Sequence, residues 1–214
     1  MGNFLDMRSR ILDELVNESI TDNQVQNAVW DAIKEREKKF YWFTQQTAAL
    51  VTVPGQEYYT DTDLDGISRI RKITSAYIGT YPLKERFSSN VDDYRNISGR
   101  PIFFSRVNTK IRLSPVPDAV YSIDLTWWGR LAPLVDDTDT NAWLDDGEEL
   151  IRQTAKFKLA LDILHSDEDA ARFSSLAERA LRALRDENRK IMPEAELRNP
   201  EIARSFGFNI NTGL

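Results

Sequence analysis

Apolar residues change period twice along this chain, from helical to alternating and back. Phe4, Met7, Ile11, Leu12 and Leu15 recur at three- to four-residue spacing, with Arg8, Arg10, Asp13 and Glu14 between them, which predicts an amphipathic helix over residues 4–18. Thr21 followed by Gln24 has the form of a capping box, and Val25, Ala28, Val29, Ala32 and Ile33 carry a second one-sided stripe to about Lys39. The run Phe40-Tyr41-Trp42-Phe43 then suits the seam between a helical layer and a sheet. It lacks the interleaved Lys or Arg of a base-stacking platform, the other use for such aromatics.

From residue 50 the period becomes two. Residues 50–53, Pro54-Gly55 and residues 56–59 read as strand, turn and strand, giving a hairpin, followed by an acidic loop over 61–66. A strand is expected across 69–78, turned by Gly79-Thr80 into 81–84, and a helical turn across 91–97. Residues 102–107 and 110–113 pair across Asn108-Thr109, and Ser114-Pro115-Val116-Pro117-Asp118 breaks the sheet because proline offers no ladder donor. Residues 120–128 alternate again, with Tyr121, Ile123, Leu125 and Trp127 on the face that should be buried.

The helical period returns after residues 131–150, which hold seven acids and no base. Asp145 with Glu148 three residues on makes a helix start, favoured by the dipole. Leu150, Thr154, Phe157, Leu161 and Leu164 form a stripe that Ala160 and Ile163 widen, predicting a largely buried helix. Ser166 caps a last helix, in which Ala170, Phe173, Ala177, Leu181, Leu184 and Ile191 recur. Beyond Pro193 the period stops, leaving Phe206, Phe208 and Ile210 separated by Gly and Asn: an arm that orders on a partner, or a frayed terminus.

The fold class that follows is α+β. Residues 1–46 and 131–192 form a helical bundle from the two ends of the chain, residues 47–130 an inserted antiparallel β domain, and residues 193–214 an extended C-terminal arm.

Composition narrows the chemistry. With 214 residues, 41% of them apolar, the chain buries a full core, and a net charge of −6 argues against coating nucleic acid by bulk electrostatics. No Cys and one His exclude disulfides and thiolate sites and most metal and acid–base chemistry. No signal sequence and no membrane span are expected, making a soluble protein of a cytoplasm the default.

One spacing in the acidic loop is specific. Asp137, Asp139, Asn141, Asp145 and Glu148 stand at positions 1, 3, 5, 9 and 12 of a calcium loop, with Leu144 at the apolar eighth place. Position 6 is Ala142, where the sharp turn needs Gly, and a strand leads in rather than a helix. The alternative is an acidic, solvated loop pinned to the core by Trp143, its acids capping the next helix. Arg179, Arg182, Arg185 and Arg189 make a basic stripe on the last helix with Asp186 and Glu187 beside it, fitting a solvated face or ion pairs between subunits better than DNA contact. His165 reads as a helix-terminal cation. Asp92-Asp93 and Asp145-Asp146 are adjacent acids that point apart, unlike the converging pair of a glycosidase. No cofactor motif is present.

The order of elements resembles the head-to-tail adaptor proteins of tailed bacteriophages across residues 4–192: two N-terminal helices, VPGQEYY, a GRP-strand-hairpin-SPVPD-strand block, the acidic TNAWL loop and two closing helices. It is most similar to the connectors of short-tailed phages, the tail tubular protein A or head completion class. The resemblance implies a structural virion protein without enzymatic activity, at the head-to-tail interface after assembly in the host cytoplasm. It implies a ring, usually dodecameric, between portal protein and tail nozzle, with DNA passing transiently through the bore. The β part would face the tail and the arm carrying Phe206, Phe208 and Ile210 would latch onto the portal. The alternatives are a nucleic-acid or calcium-dependent binding module and, less favoured, a cell-wall hydrolase.

Overall fold

The computed structural model describes residues 2–15, 19–87 and 97–192. The chain divides after Trp42 and again at Leu134, the flanking segments forming one compact unit and Phe43–Pro133 the other. The class is α+β, with helices at both ends of the chain and the sheets between them.

In the helical unit the described helices are α1 (Phe4–Leu15), α2 (Asp22–Arg36), α3 (Ala142–Asp145), α4 (Glu148–Asp162) and α5 (Asp167–Ile191). The expected capping box is present: Thr21 Oγ1 accepts from Gln24 N, and the Gln24 side chain accepts from Thr21 N at 2.8 Å. Ser166 caps α5 by accepting from Asp169 N. Three acids in the first turn of α5 and Arg189 and Lys190 in its last complement the helix dipole.

Helix α4 is the hub, packed against α1, α2, α3 and α5. Because it is covered from several sides, its buried set departs from a single stripe. Ile151, Ala155 and Leu159 are buried along with Leu150, Thr154 and Ala160, while Leu161 is exposed. Of the aromatic run only Tyr41 is fully inside, edge-on to Trp143 with ring centroids 5.4 Å apart; Phe40 is exposed.

The β unit holds two four-stranded sheets. The first has the order β1 (Gln45–Val51), β8 (Ser122–Gly129), β3 (Ile70–Ile78), β4 (Tyr81–Pro82), all antiparallel. The second runs β2 (Tyr58–Tyr59), β7 (Lys110–Ser114), β6 (Phe103–Val107), β5 (Lys84–Glu85). Its β5–β6 pair is parallel, as is the isolated bridge between Ser98 and Val116; the other described strand pairs are antiparallel. Ile123, Leu125 and Trp127 enter the shared core on the face their alternation predicts, joined by Ile70, Ile73, Phe104, Ile111 and Leu113. The β6–β7 hairpin turns at Asn108, whose φ of 54° is a value asparagine tolerates.

The hairpin expected around Pro54-Gly55 does not form. β1 and β2 belong to different sheets, so this turn is a crossover from one sheet to the other. Leu50 and Tyr59 both reach the core from opposite sides of it, and the Tyr59 hydroxyl bridges the turn, accepting from Val53 N at 3.2 Å and donating to Gln56 O at 3.0 Å. A side chain thus closes what a ladder would otherwise have closed. The helical turn expected at 91–97 lies, apart from Ile97, outside the described residues, as do the last three residues of the first predicted helix and the whole arm.

Candidate functional site

The acidic segment before α4 is organised around α1. Main-chain carbonyls of Asp139 and Asp137 accept from Phe4 N at 2.9 Å and Leu5 N at 3.0 Å, satisfying donors that the start of a helix leaves open. The carboxylate of Asp137 pairs with Arg8, which also holds Asp22 at 2.9 Å. Asp139 turns back on its own loop, accepting from Val135 N at 2.7 Å and Asp136 N at 2.8 Å, and these two N–H groups hold its carboxyl below the ordinary range.

The remaining members of the calcium-like spacing have separate tasks. Asn141 Oδ1 accepts from Trp143 N at 3.0 Å and caps α3, and Glu148 faces Arg10 at 3.0 Å and Arg152 at 3.1 Å. Asp145 is the exposed last residue of α3 rather than a cap for α4. Among the described residues no group of three Asp, Glu or His side chains is placed to hold a metal ion. Ala142, where a calcium loop turns sharply, begins α3 in this chain. The residue that precedes α4 is Gly147, where an added Cβ would lie 2.6 Å from the Trp143 ring.

An ion cluster that apolar periodicity could not reveal joins α1 to α4. Glu14 receives both Arg152 and Lys156, the latter at 2.6 Å, and Arg152 also reaches Glu149. The two cations are nearly buried, 8% and 6% exposed at their side chains, while Glu14 keeps 30%. Burial pushes the Glu14 carboxyl up, but the hydrogen bonds and charges of Lys156 and Arg152 together outweigh it and hold the group below 4.5. A legible trace existed: Arg152 and Lys156 stand at i and i+4 of a helix whose apolar stripe predicts burial.

The basic stripe of α5 lies in solvent, and Arg182 and Arg189 are engaged within their own helix, by Glu178 at 3.4 Å and Asp186 at 3.5 Å. His165 is exposed at the end of α4, with φ 50° and Nδ1 3.3 Å from Leu161 O. Asp92 and Asp93 lie outside the described residues, and so do Phe206, Phe208 and Ile210.

The β unit offers a surface the sequence reading passed over. Its chain enters at β1 and leaves after β8, both at the Gln45↔Trp128 end of their ladder. At the opposite end, where Val51 pairs with Ser122 and Tyr77 with Asp124, exposed apolar side chains collect: Val51, Val53, Tyr77, Tyr81 and Val120. That end is firmly made. Thr52 N donates to Tyr121 O at 2.9 Å, the Thr52 hydroxyl bonds Ala119 O and Tyr121 N, Gly55 N donates to Pro117 O, and the Arg100 guanidinium stacks 4.2 Å over Tyr81. Exposed apolar groups on a rigid rim mark a contact surface more than a core defect.

Apolar contact groups at one end of the β unit and a charge-clamped helical unit suit a protein built for assembly. The model of the SU10 adaptor protein family matches residues 2–199, and the chain belongs to that family, making it a bacteriophage structural adaptor. No curated protein matches the chain. No helix among the described residues is long and apolar enough to cross a membrane.

Proposed function

We propose that this adaptor assembles as a ring between the portal protein and the tail nozzle of a short-tailed phage, with the genome leaving through its bore and no reaction catalysed. The observation that carries the reading, beyond family membership, is the rim of Val51, Val53, Tyr77, Tyr81 and Val120 at the end of the β unit away from its chain connections. That is where a surface offered to the tail would stand. A net charge of −6 suits a channel that DNA must slide through, since each phosphate neutralised by Lys or Arg releases counterions and tightens the grip. The ion-paired face of α5 fits contact with neighbouring subunits.

Sedimentation with and without portal tests this. The expected result is a monomer alone and a ring on the portal, because each interface needs a partner's surface to complete it. Failure to associate with portal at any salt concentration overturns the reading.

A further inference from the structure

The open edge of β1 is the longest free strand edge among the described residues. β1 ends its sheet and pairs only with β8. Thr52 N donates to Tyr121 O one step past the last register pair. By the alternation of an antiparallel ladder, Gln46, Ala48 and Leu50 then turn their N–H and C=O groups toward β8. Gln45, Thr47, Ala49 and Val51 turn theirs away from it.

Proteins blunt such edges with charge, proline, bulges or brevity. The other edge strands, β2, β4 and β5, are two residues each, and β4 contains Pro82. β1 has no such protection: residues 45–53 carry no charge and no proline. An unblunted edge of this length is what strand addition uses.

The edge also specifies what would fit it. An added strand lies beside Gln46, Ala48 and Leu50 on its inner side, where Ala48 is only partly buried against the core, and beside Thr47, Ala49 and Val51 on its outer side. It therefore needs apolar side chains at every second position and small polar ones between. Residues 205–211, Ser-Phe-Gly-Phe-Asn-Ile-Asn, have that alternation and no charge. The twelve residues between Met192 and Ser205 give the segment a tether of up to about 40 Å.

We infer that in the assembled ring residues 205–211 of one copy add to the free edge of β1 in a neighbouring copy as a fifth strand of the first sheet. This rests on the ring reading above, and it seats the arm within the ring, where the resemblance implies a seat on the portal.

The absence of Cys from the chain makes a direct test clean. Full-length Ala49→Cys chains are mixed with Gly207→Cys or Asn209→Cys chains, assembled on portal and oxidised. Facing Cβ atoms of paired strands come close enough for a disulfide. The expected product is a covalent dimer that needs both substitutions and is absent when Asp31→Cys replaces Ala49→Cys. Rings that sediment normally without that dimer, or with as much from Asp31→Cys, overturn the inference while leaving the ring reading intact. A link formed within one doubly substituted chain overturns the exchange between copies.

Amide hydrogen exchange on the unsubstituted chain gives a second readout. The N–H groups of Thr47, Ala49 and Val51 should slow by on the order of 100-fold on assembly and regain free-chain rates in Phe208→Asp rings. Free-chain rates in native rings reject the strand. If no ring forms at all, both readings fall together.

Discussion

In the β unit the cluster around Ile123, Leu125 and Trp127 is apolar throughout, and the one charged side chain buried within this unit among the described residues, Arg112, pairs with Glu57 at its margin. In the helical unit α4 alone buries Arg152, Lys156, Gln153 and Thr154, and α1 is tied to its surroundings through Arg8 and Glu14 as well as through Phe4, Met7 and Ile11. Apolar burial has no direction and little dependence on pH or salt. A buried charge tolerates one partner in one place, so the helical unit trades condition-independence for a fixed seating of α1. The two units should therefore answer perturbation differently.

The largest effect is expected from the β core. Leu125→Ala, at a position 1% exposed between Ala48 and Ala76 on the neighbouring strands, should cost about 3 kcal/mol by urea unfolding, and by the same amount at pH 7 and pH 4. A loss that varies with pH would break the contrast at its stronger end.

Glu14→Gln comes next. It leaves two nearly buried cations facing an amide, and removing one partner of a buried pair costs about 3–5 kcal/mol. Since Glu14 is 30% exposed, water softens this to about 2 kcal/mol. The pH dependence has a definite sign. The folded carboxyl titrates below its ordinary 4.5, so its contribution is complete above that value and is lost as pH falls through the folded pKa. Wild type should weaken below pH 4.5 more steeply than Glu14→Gln. Parallel curves would mean that Glu14 does not link α1 to α4.

This contrast explains which parts of the fold could be read from the chain. Strand β8, the β6–β7 hairpin and the caps at Thr21 and Ser166 were legible because each depends on residues within a few positions of one another. The Pro54-Gly55 crossover was not, because a strand-turn-strand pattern has the same local form whether its strands share a sheet or part. What separates them here is Tyr59 reaching back to Val53, a contact no period reports. The ion cluster escaped for a related reason: Glu14 and Arg152 are partners only once α1 lies on α4. In the acidic loop the five oxygen-bearing side chains keep their spacing, but Ala142 starts α3 where a calcium loop needs a sharp turn. The arm with Phe206, Phe208 and Ile210 lies outside the described residues.

A third, smaller effect tests the one glycine that the acidic segment needs. Gly147→Ala puts a methyl group 2.6 Å from Cε3 of Trp143, a fully buried ring held against Tyr41. The ring is fully buried, so the clash should cost about 1–2 kcal/mol. Near-UV circular dichroism and tryptophan fluorescence should shift with it. The cost should be indifferent to pH, unlike that of Glu14→Gln, although both changes lie in the helical unit. A pH-sensitive loss at Gly147 would show that packing and charge there are not separable.

The smallest effect has the opposite sign. Burial pushes the Asp146 carboxyl up, and the nearby negative charges of Asp145 and Glu187 push it further. A folded pKa above the unfolded one means that the ionised group opposes folding at neutral pH and that this cost fades as pH falls through the folded pKa. Asp146→Asn removes the charge and keeps the shape, so it should stabilise the helical unit by about 0.3 kcal/mol at pH 7, the scale of an ordinary surface change, and by less at pH 4. A measurable loss of stability instead would mean that Asp146 is held by a partner in the folded chain. The acidic segment would then be clamped at its α4 end as firmly as Asp137 and Asp139 clamp it to α1.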